Sequence, residues 1–350
     1  MRPRAAARAA ASAGMTAAVL LGAGCPFAPG GKPGRGAGAG AAARSDPAPG
    51  VLPALRRTEV LFELGGAPSP SPLVLGSAGG RRTAMIVDTG AESHVLAEWL
   101  AVDARLPTRA ATEAGHDAIG SAVTFSIVDR PALALEGWGA VADRPIAVTR
   151  VPAFFRDLGV GVILSPQLLA TAGAAVLLDL APFRMELLPY DAAVAGLEGR
   201  GLALVPAGLR VCSDPRAAVE NLAYVVPGAA EGVVVSFRVD TGARVTTLFD
   251  GSPAAVALAA RATDAPDAHG ASGTAAAKVV KGAHIRAGDT ERTLDVRIAP
   301  GARDPACPFD GLLGIDFLRA CALVLAPDRM TGTCAETVKL PPASVPAAAP

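Results

Sequence analysis

Two stretches of this 350-residue chain read alike: Ala84-Met85-Ile86-Val87-Asp88-Thr89-Gly90-Ala91 and Val235-Ser236-Phe237-Arg238-Val239-Asp240-Thr241-Gly242-Ala243. Each is a short, largely apolar run of strand character ending in Asp-Thr-Gly-Ala, and Asp88 and Asp240 lie 152 residues apart. Two further blocks recur in the same order. Val160-Gly161-Val162-Ile163-Leu164-Ser165 is answered by Asp310-Gly311-Leu312-Leu313-Gly314-Ile315 at an offset of 150, and Leu180-Ala181-Pro182-Phe183-Arg184-Met185 by Leu325-Ala326-Pro327-Asp328-Arg329-Met330 at 145. Three blocks in one order with drifting spacing describe a duplicated unit with loop deletions. A single Asp-Thr-Gly is good turn chemistry, with Asp bonding its own backbone and Gly taking positive φ. Two copies, each at the end of an apolar strand and each followed by the same aliphatic block, read as two halves of one site.

The elements around the blocks agree between halves. Short β-branched and Leu-rich runs open each half, Val60 to Leu64 with Leu73 to Gly76 in the first and Gly232 to Val239 in the second. A short helix is predicted after each turn, His94 to Val102 with Ser93 as a cap, and Ala254 to Thr263 behind Ser252 and Pro253. Strands follow at Ala122 to Val128 and Ile146 to Val151, matched by Ala275 to Val280 and Thr293 to Ile298. A one-to-two-turn helix starts at Ser165-Pro166, and each half closes with a hairpin turning at the shared Ala-Pro. The fold class is therefore mostly β and bilobal: two similar β-barrel-like lobes about a pseudo-twofold axis, at residues 56–192 and 193–340.

Composition narrows the function classes. With 32 Lys+Arg against 32 Asp+Glu the formal net charge is zero, so no whole-protein field draws the chain to nucleic acid. A 51% hydrophobic, 4% aromatic and 18% charged chain with 39 Gly and 30 Pro is neither a coiled coil nor a charged disordered polymer. The N-terminus reads as an export signal over 1–24, with Arg2, Arg4 and Arg8 ahead of an Ala-rich apolar stretch ending at Leu21. Gly22-Ala23-Gly24-Cys25 resembles the lipobox of bacterial lipoproteins, which makes Cys25 the expected lipidation site; Leu stands one step too far back, at Leu21. Residues 25–55 read as a low-complexity linker and 341–350 as a disordered tail. The expected address is exported, either as a cell-envelope lipoprotein or secreted, with membrane contact only through the N-terminal lipid.

Two carboxylates facing each other across a pseudo-twofold axis cannot both ionise easily, so Asp88 and Asp240 would share a proton and act together as acid and base. The ionised Asp deprotonates a water, which attacks a peptide carbonyl while the other Asp bonds the carbonyl oxygen. Thr89 and Thr241 are expected to lock the two turns together across the lobes, and Gly90 and Gly242 to let backbone N–H groups reach the carboxylates. On these residues, and on Asp310-Gly311-Leu312-Leu313-Gly314-Ile315-Asp316-Phe317-Leu318, the chain resembles the aspartic peptidases, retropepsin-like in its motifs and pepsin-like in carrying both lobes. The resemblance spans roughly residues 56–335. It implies an endopeptidase acting on peptides or proteins without cofactor or metal, with Gly311 and Gly314 in a ψ-shaped loop beside the catalytic turn. Ala91 and Ala243 stand where pepsin-like enzymes carry Ser or Thr, which leaves the carboxylates with fewer hydrogen bonds and predicts a mildly acidic optimum.

Departures from the pattern sit mainly in the first half. Leu164 occupies the place of the block's second glycine, followed by Ser165-Pro166 where the second half has Ile315-Asp316. A bulky residue beside the turn of Asp88 supports an alternative, a catalytically inactive bilobal protein that binds peptides or serves as an envelope scaffold. The covering flap is expected at Gly115 to Val128, with Ile119, Gly120 and Ser121 at its tip, or at His269 to Val280. None of His94, His116, His269 and His284 has metal-ligand spacing, and all four read as structural or surface residues, with a subsite role open for His94. Glu92 and Arg244, beside the two turns, read either as substrate-charge determinants or as solvated loop charges. With Cys25 set aside, four cysteines remain and allow three connectivities. Cys321 and Cys334 are symmetric about the Pro327-Asp328 turn, which suggests that pair and, by elimination, Cys212 with Cys307; free thiols are the other reading.

Overall fold

The computed structural model describes residues 21–22 and 56–335, apart from 142, 205–207, 216, 271–272 and 302–305, and without the side chains of 21–22 and 112–114. The export signal, Cys25, the linker and the tail fall almost wholly outside the described residues; Leu21–Gly22 alone is seen, paired antiparallel with residues 116–117. The chain is mostly β, in two lobes. Seven strands of the first lobe lie in the order Arg109–Asp117, Ala122–Val128, Ile146–Thr149, Val95–Ala97, Val160–Leu164, Arg81–Val87, Ala67–Ala78. The second lobe repeats that order with Thr263–His269, Thr274–Ala287, Thr290–Ala299, Thr247–Phe249, Gly311–Leu313, Val233–Val239 and Ala223–Ala230. In the second lobe the sheet also closes on itself, Ala223–Ala230 pairing with Thr274–Ala287.

The strands that deliver the Asp-Thr-Gly turns lie parallel to the aliphatic blocks, Arg81–Val87 against Val160–Leu164 and Val233–Val239 against Gly311–Leu313. All five residues of Val160–Leu164 are buried, as expected of central strands covered on both faces. The Ala-Pro hairpins, Ala174–Asp179 with Arg184–Pro189 and Cys321–Ala326 with Arg329–Cys334, join the lobes. Their inner strands pair with each other, Val176 with Leu325 and Leu178 with Leu323, in a six-stranded sheet whose outer strands are Arg56–Glu59 and Leu202–Ala203. The shared Leu-Ala-Pro is not structurally equivalent. Asp179 pairs with Arg184 and Ala326 with Arg329, so the first hairpin turns over four residues and the second over two, and only the returning strands keep the 145-residue offset.

The helix expected from His94 begins later, at Glu98, and Ser93 does not cap it. Val95-Leu96-Ala97 instead joins the sheet between Ile146–Thr149 and Val160–Leu164, because these apolar residues are buried there on both sides. In the second lobe Ser252 caps Pro253–Leu258 as expected, accepting from the Ala255 N–H at 3.3 Å. The start at Ser165-Pro166 gives a single 3₁₀ turn, Pro166–Leu169. Both cysteine pairings are present as disulfides, Cys321 with Cys334 and Cys212 with Cys307. Two disulfides indicate an oxidising, exported environment. Among the described residues no helix is long and apolar enough to cross a membrane.

Candidate active site

The strands Arg81–Val87 and Val233–Val239 run out at the lobe boundary, so each delivers an Asp to the same point. Asp88 and Asp240 are both fully buried where the two turns meet, and each acts on the ionisation of the other. The first turn is held by the Gly90 and Ala91 N–H groups, which donate to Asp88 Oδ1 at 2.8 and 3.0 Å. In the second, the Ala243 N–H donates to Asp240 Oδ1 at 2.8 Å. The two Oδ2 atoms receive no such donor. A Cβ on Gly242 would collide with the Asp88 carboxyl, so the third residue of this turn has to be glycine.

The threonines interlock as expected. Thr89 Oγ1 donates to the Val239 carbonyl at 2.9 Å and accepts from the Thr241 N–H at 3.0 Å. Thr241 Oγ1 donates to the Val87 carbonyl at 2.7 Å and accepts from the Thr89 N–H at 3.1 Å. Four buried hydrogen bonds thus fix one turn against the other.

Burial is the first cause of the dyad's electrostatics. Desolvation pushes the Asp88 carboxyl up to about 6 against the lowering effect of its hydrogen bonds, and raises Asp240 well above the ordinary carboxylate range, with the charge of Asp88 adding to the rise. Two carboxyls in contact hydrogen-bond only if one proton is shared between them. The turns retain the backbone donors that the Ala residues supply, so the dominant upward influence is burial rather than the missing hydroxyls.

Leu164 does not intrude on the turn. The Asp88 N–H donates to the Leu164 carbonyl at 2.8 Å, as the Asp240 N–H does to Leu313 at 3.0 Å, so Leu164 is the counterpart of Leu313. The register of Val160–Leu164 shifts between Val160 and Val162, and this bulge at Gly161 absorbs the one-residue difference between the blocks. Ser165 therefore matches Gly314: the Ser165 N–H donates to His94 Nδ1 at 3.1 Å, the Gly314 N–H to Thr246 Oγ1 at 3.1 Å. Gly311 packs against the backbone of Thr247, and Gly314 against that of Val245 and Thr246, both too tightly for a side chain.

One step further the lobes differ. The Ile315 N–H donates to the Ala243 carbonyl at 2.8 Å, but Pro166, its counterpart, has no N–H. Gln167 supplies the missing donor. Its fully buried amide gives hydrogen bonds to the Ala91 carbonyl at 2.9 Å, to Thr89 at 3.2 Å and to Leu222 at 2.8 Å. Sequence reading missed Gln167, and its only signal was the Pro before it. In the second lobe Asp316, whose carboxyl burial lifts to about 6, accepts from Thr246 instead.

His94 is buried, and desolvation pushes its ring down to about 4, with the Arg144 charge adding to the fall, so it is a neutral acceptor. Glu92 is no solvated loop charge: it is buried and forms an ion pair with the buried Arg238 across the lobe boundary. The two hairpins expected as flaps meet at their tips, and the first lies beside the turn of Asp240. Ala118 at the tip of the first packs in one apolar cluster with Ala243, Phe249 and Phe309, and Gly270 at the tip of the second abuts the Asp117 carboxyl and Ile119. Among the described residues no cluster of three or more His, Cys, Asp or Glu side chains could hold a metal.

Residues 226–317, which include the second turn and the Gly-Leu-Leu-Gly block, match the family model described as aspartyl protease. Over those residues the second lobe is similar to the aspartyl proteases. The solved aspartic proteinase from Irpex lacteus is 12% identical, with a TM-score of 0.44, over 81% of this chain and 98% of that one. No curated protein sequence matches. The family match covers the lobe that carries Asp240, Gly311 and Gly314, while Asp88 belongs to the other lobe.

Proposed function

We propose that the protein is an aspartic endopeptidase whose water nucleophile is activated by Asp88 and Asp240, one from each lobe. The observation that carries this reading is the burial of two carboxyls on turns interlocked by Thr89 and Thr241, each carboxyl with one oxygen fixed by its own turn and the other free of N–H donors. The deprotonated member takes a proton from water, the oxygen attacks the scissile carbonyl, and the protonated member donates a hydrogen bond to the developing oxyanion. The proton then passes to the leaving amine. Thr89 and Thr241 hold the two turns at working separation, and Gly90, Gly242, Gly311 and Gly314 allow the close approach this requires.

Cleavage of a peptide library at pH 3 to 7 tests the reading. Asp240→Asn is expected to lose at least about 10³-fold in kcat, the scale of general acid–base catalysis, while retaining peptide binding. Equal activity in the two proteins, or none in either, rejects it. Because burial raises both carboxyls, the singly protonated dyad persists to higher pH than for exposed carboxylates. The pH–rate profile should peak between about pH 4 and 7, and a maximum near pH 2 would contradict the account.

We infer that the enzyme is exported, either as a cell-envelope lipoprotein anchored through Cys25 or secreted, with residues 1–24 read as the signal and 25–55 as the linker to lobes at 56–192 and 193–340. Fatty-acid labelling that survives Cys25→Ala would reject the anchor.

A further inference from the structure

An apolar pocket lies against the site on the first-lobe side, lined by Leu64, Leu73, Ile86, Phe154, Leu158 and Val160. It ends at Gly242, whose carbonyl accepts from Ser71 Oγ at 2.9 Å. Ile86 lies two residues before Asp88, and alternation along a strand puts both on one face. Its counterpart, two residues before Asp240, is Arg238. The equivalence holds in register, since Leu73 pairs with Ile86 and Val225 with Arg238.

In the second lobe the corresponding space is filled. The Arg238 guanidinium pairs with Glu92, reaches the Gly90 carbonyl at 3.5 Å and lies 4.2 Å from the centre of the Phe309 ring. It thus meets Gly90 as Ser71 meets Gly242, each across the lobe boundary, but with a larger, charged side chain. A buried ion pair of this kind cannot yield to an apolar group, because displacing either partner leaves a charge unpaired in a dry site.

We infer that Arg238, held by Glu92, is a specificity-determining residue that closes the second-lobe pocket, so that a large apolar substrate side chain is accepted on one side of the scissile bond only. The inference rests on the cleft binding peptides as proposed above. Two non-cleavable peptide analogues with a reduced scissile amide test it, one with Phe before and Ala after that bond, the other reversed, their affinities measured by calorimetry. Wild type should prefer one by about tenfold or more, the worth of one well-buried apolar side chain. The double variant Arg238→Ile with Glu92→Gln, which leaves no lone charge, should bring the two within about threefold.

A second variant does not depend on the ion pair. Leu158 is 48% exposed at the pocket rim, so Leu158→Trp can fill the pocket without disturbing the core, and it should cost the preferred analogue about tenfold. Equal binding of the analogues by wild type, no binding of either, an unchanged ratio in the folded double variant, or no loss in Leu158→Trp overturns the inference. Asymmetric binding without cleavage of ordinary peptides overturns the peptidase reading and leaves this one standing.

Discussion

The two lobes build the same turn with different chemistry. In the second, Ile315 supplies an N–H to Ala243 and the Asp316 carboxyl gathers Thr246; in the first, Pro166 supplies nothing and Gln167 reaches back to Thr89 and Ala91. His94 takes the place of Thr246, and a bulge at Gly161 restores the alignment. What persists is the hydrogen-bond geometry around the carboxylates, not the residues that provide it. A buried N–H or carbonyl left without a partner costs about 1 to 3 kcal/mol, so a change at one position survives only with a compensating change nearby.

The lobes also differ in covalent support, which gives the largest predicted effect. Both disulfides belong to the second lobe. Cys212–Cys307 spans a sequence separation of 95 and Cys321–Cys334 one of 13. By loop-closure entropy the first is worth about 4.7 kcal/mol and the second about 2.9 kcal/mol. Denaturant unfolding of Cys212→Ala/Cys307→Ala and Cys321→Ala/Cys334→Ala should show that order, and the reverse would mean native packing outweighs chain entropy here. Next, Gln167→Ala removes the buried amide whose two N–H groups serve three carbonyls beneath the Asp88 turn. It should lower kcat about 10- to 100-fold with little change in KM, as expected of a small misplacement of a reacting group. Asp316→Asn keeps an acceptor for Thr246 and should cost no more than about threefold. Equal losses at the two positions would show that the supports are not specialised. A transplant is also expected to be mild: His94→Thr installs the second-lobe residue and should cost about 1 kcal/mol, less than His94→Ala, which leaves the Ser165 N–H unpaired.

How much of this could be read from sequence follows from what is local. The Asp-Thr-Gly repeat and the Cys321–Cys334 pair are set by short-range period or by symmetry about a turn, and each stands as expected; the two closing hairpins also form, but with turns of different length at the shared Ala-Pro. Pairing the aliphatic blocks residue by residue assigned Leu164 to a glycine's place, because a bulge inserts a residue that no alignment of six positions shows. Val95-Leu96-Ala97 reads as the first turn of a helix until the neighbouring strands claim it. Gln167 and Arg238 act across 76 and 146 residues of chain respectively, a distance over which side-chain identity alone carries no signal. Glu92 looked like a loop charge because its partner belongs to the other lobe.

The seam at Val176–Leu325 and Leu178–Leu323 has one further consequence. Its pairing is self-complementary about the axis, so two separate copies of one lobe could form it as a homodimer, at an occupancy set by protein concentration. Joining the copies in one chain removes that dilution limit. It also releases the halves from identity: a homodimer must place any substitution on both sides of the axis at once, whereas here Gln167, Arg238 and the paired cysteines each occur once. An asymmetric cleft is thus open to a fused chain and closed to its symmetric counterpart.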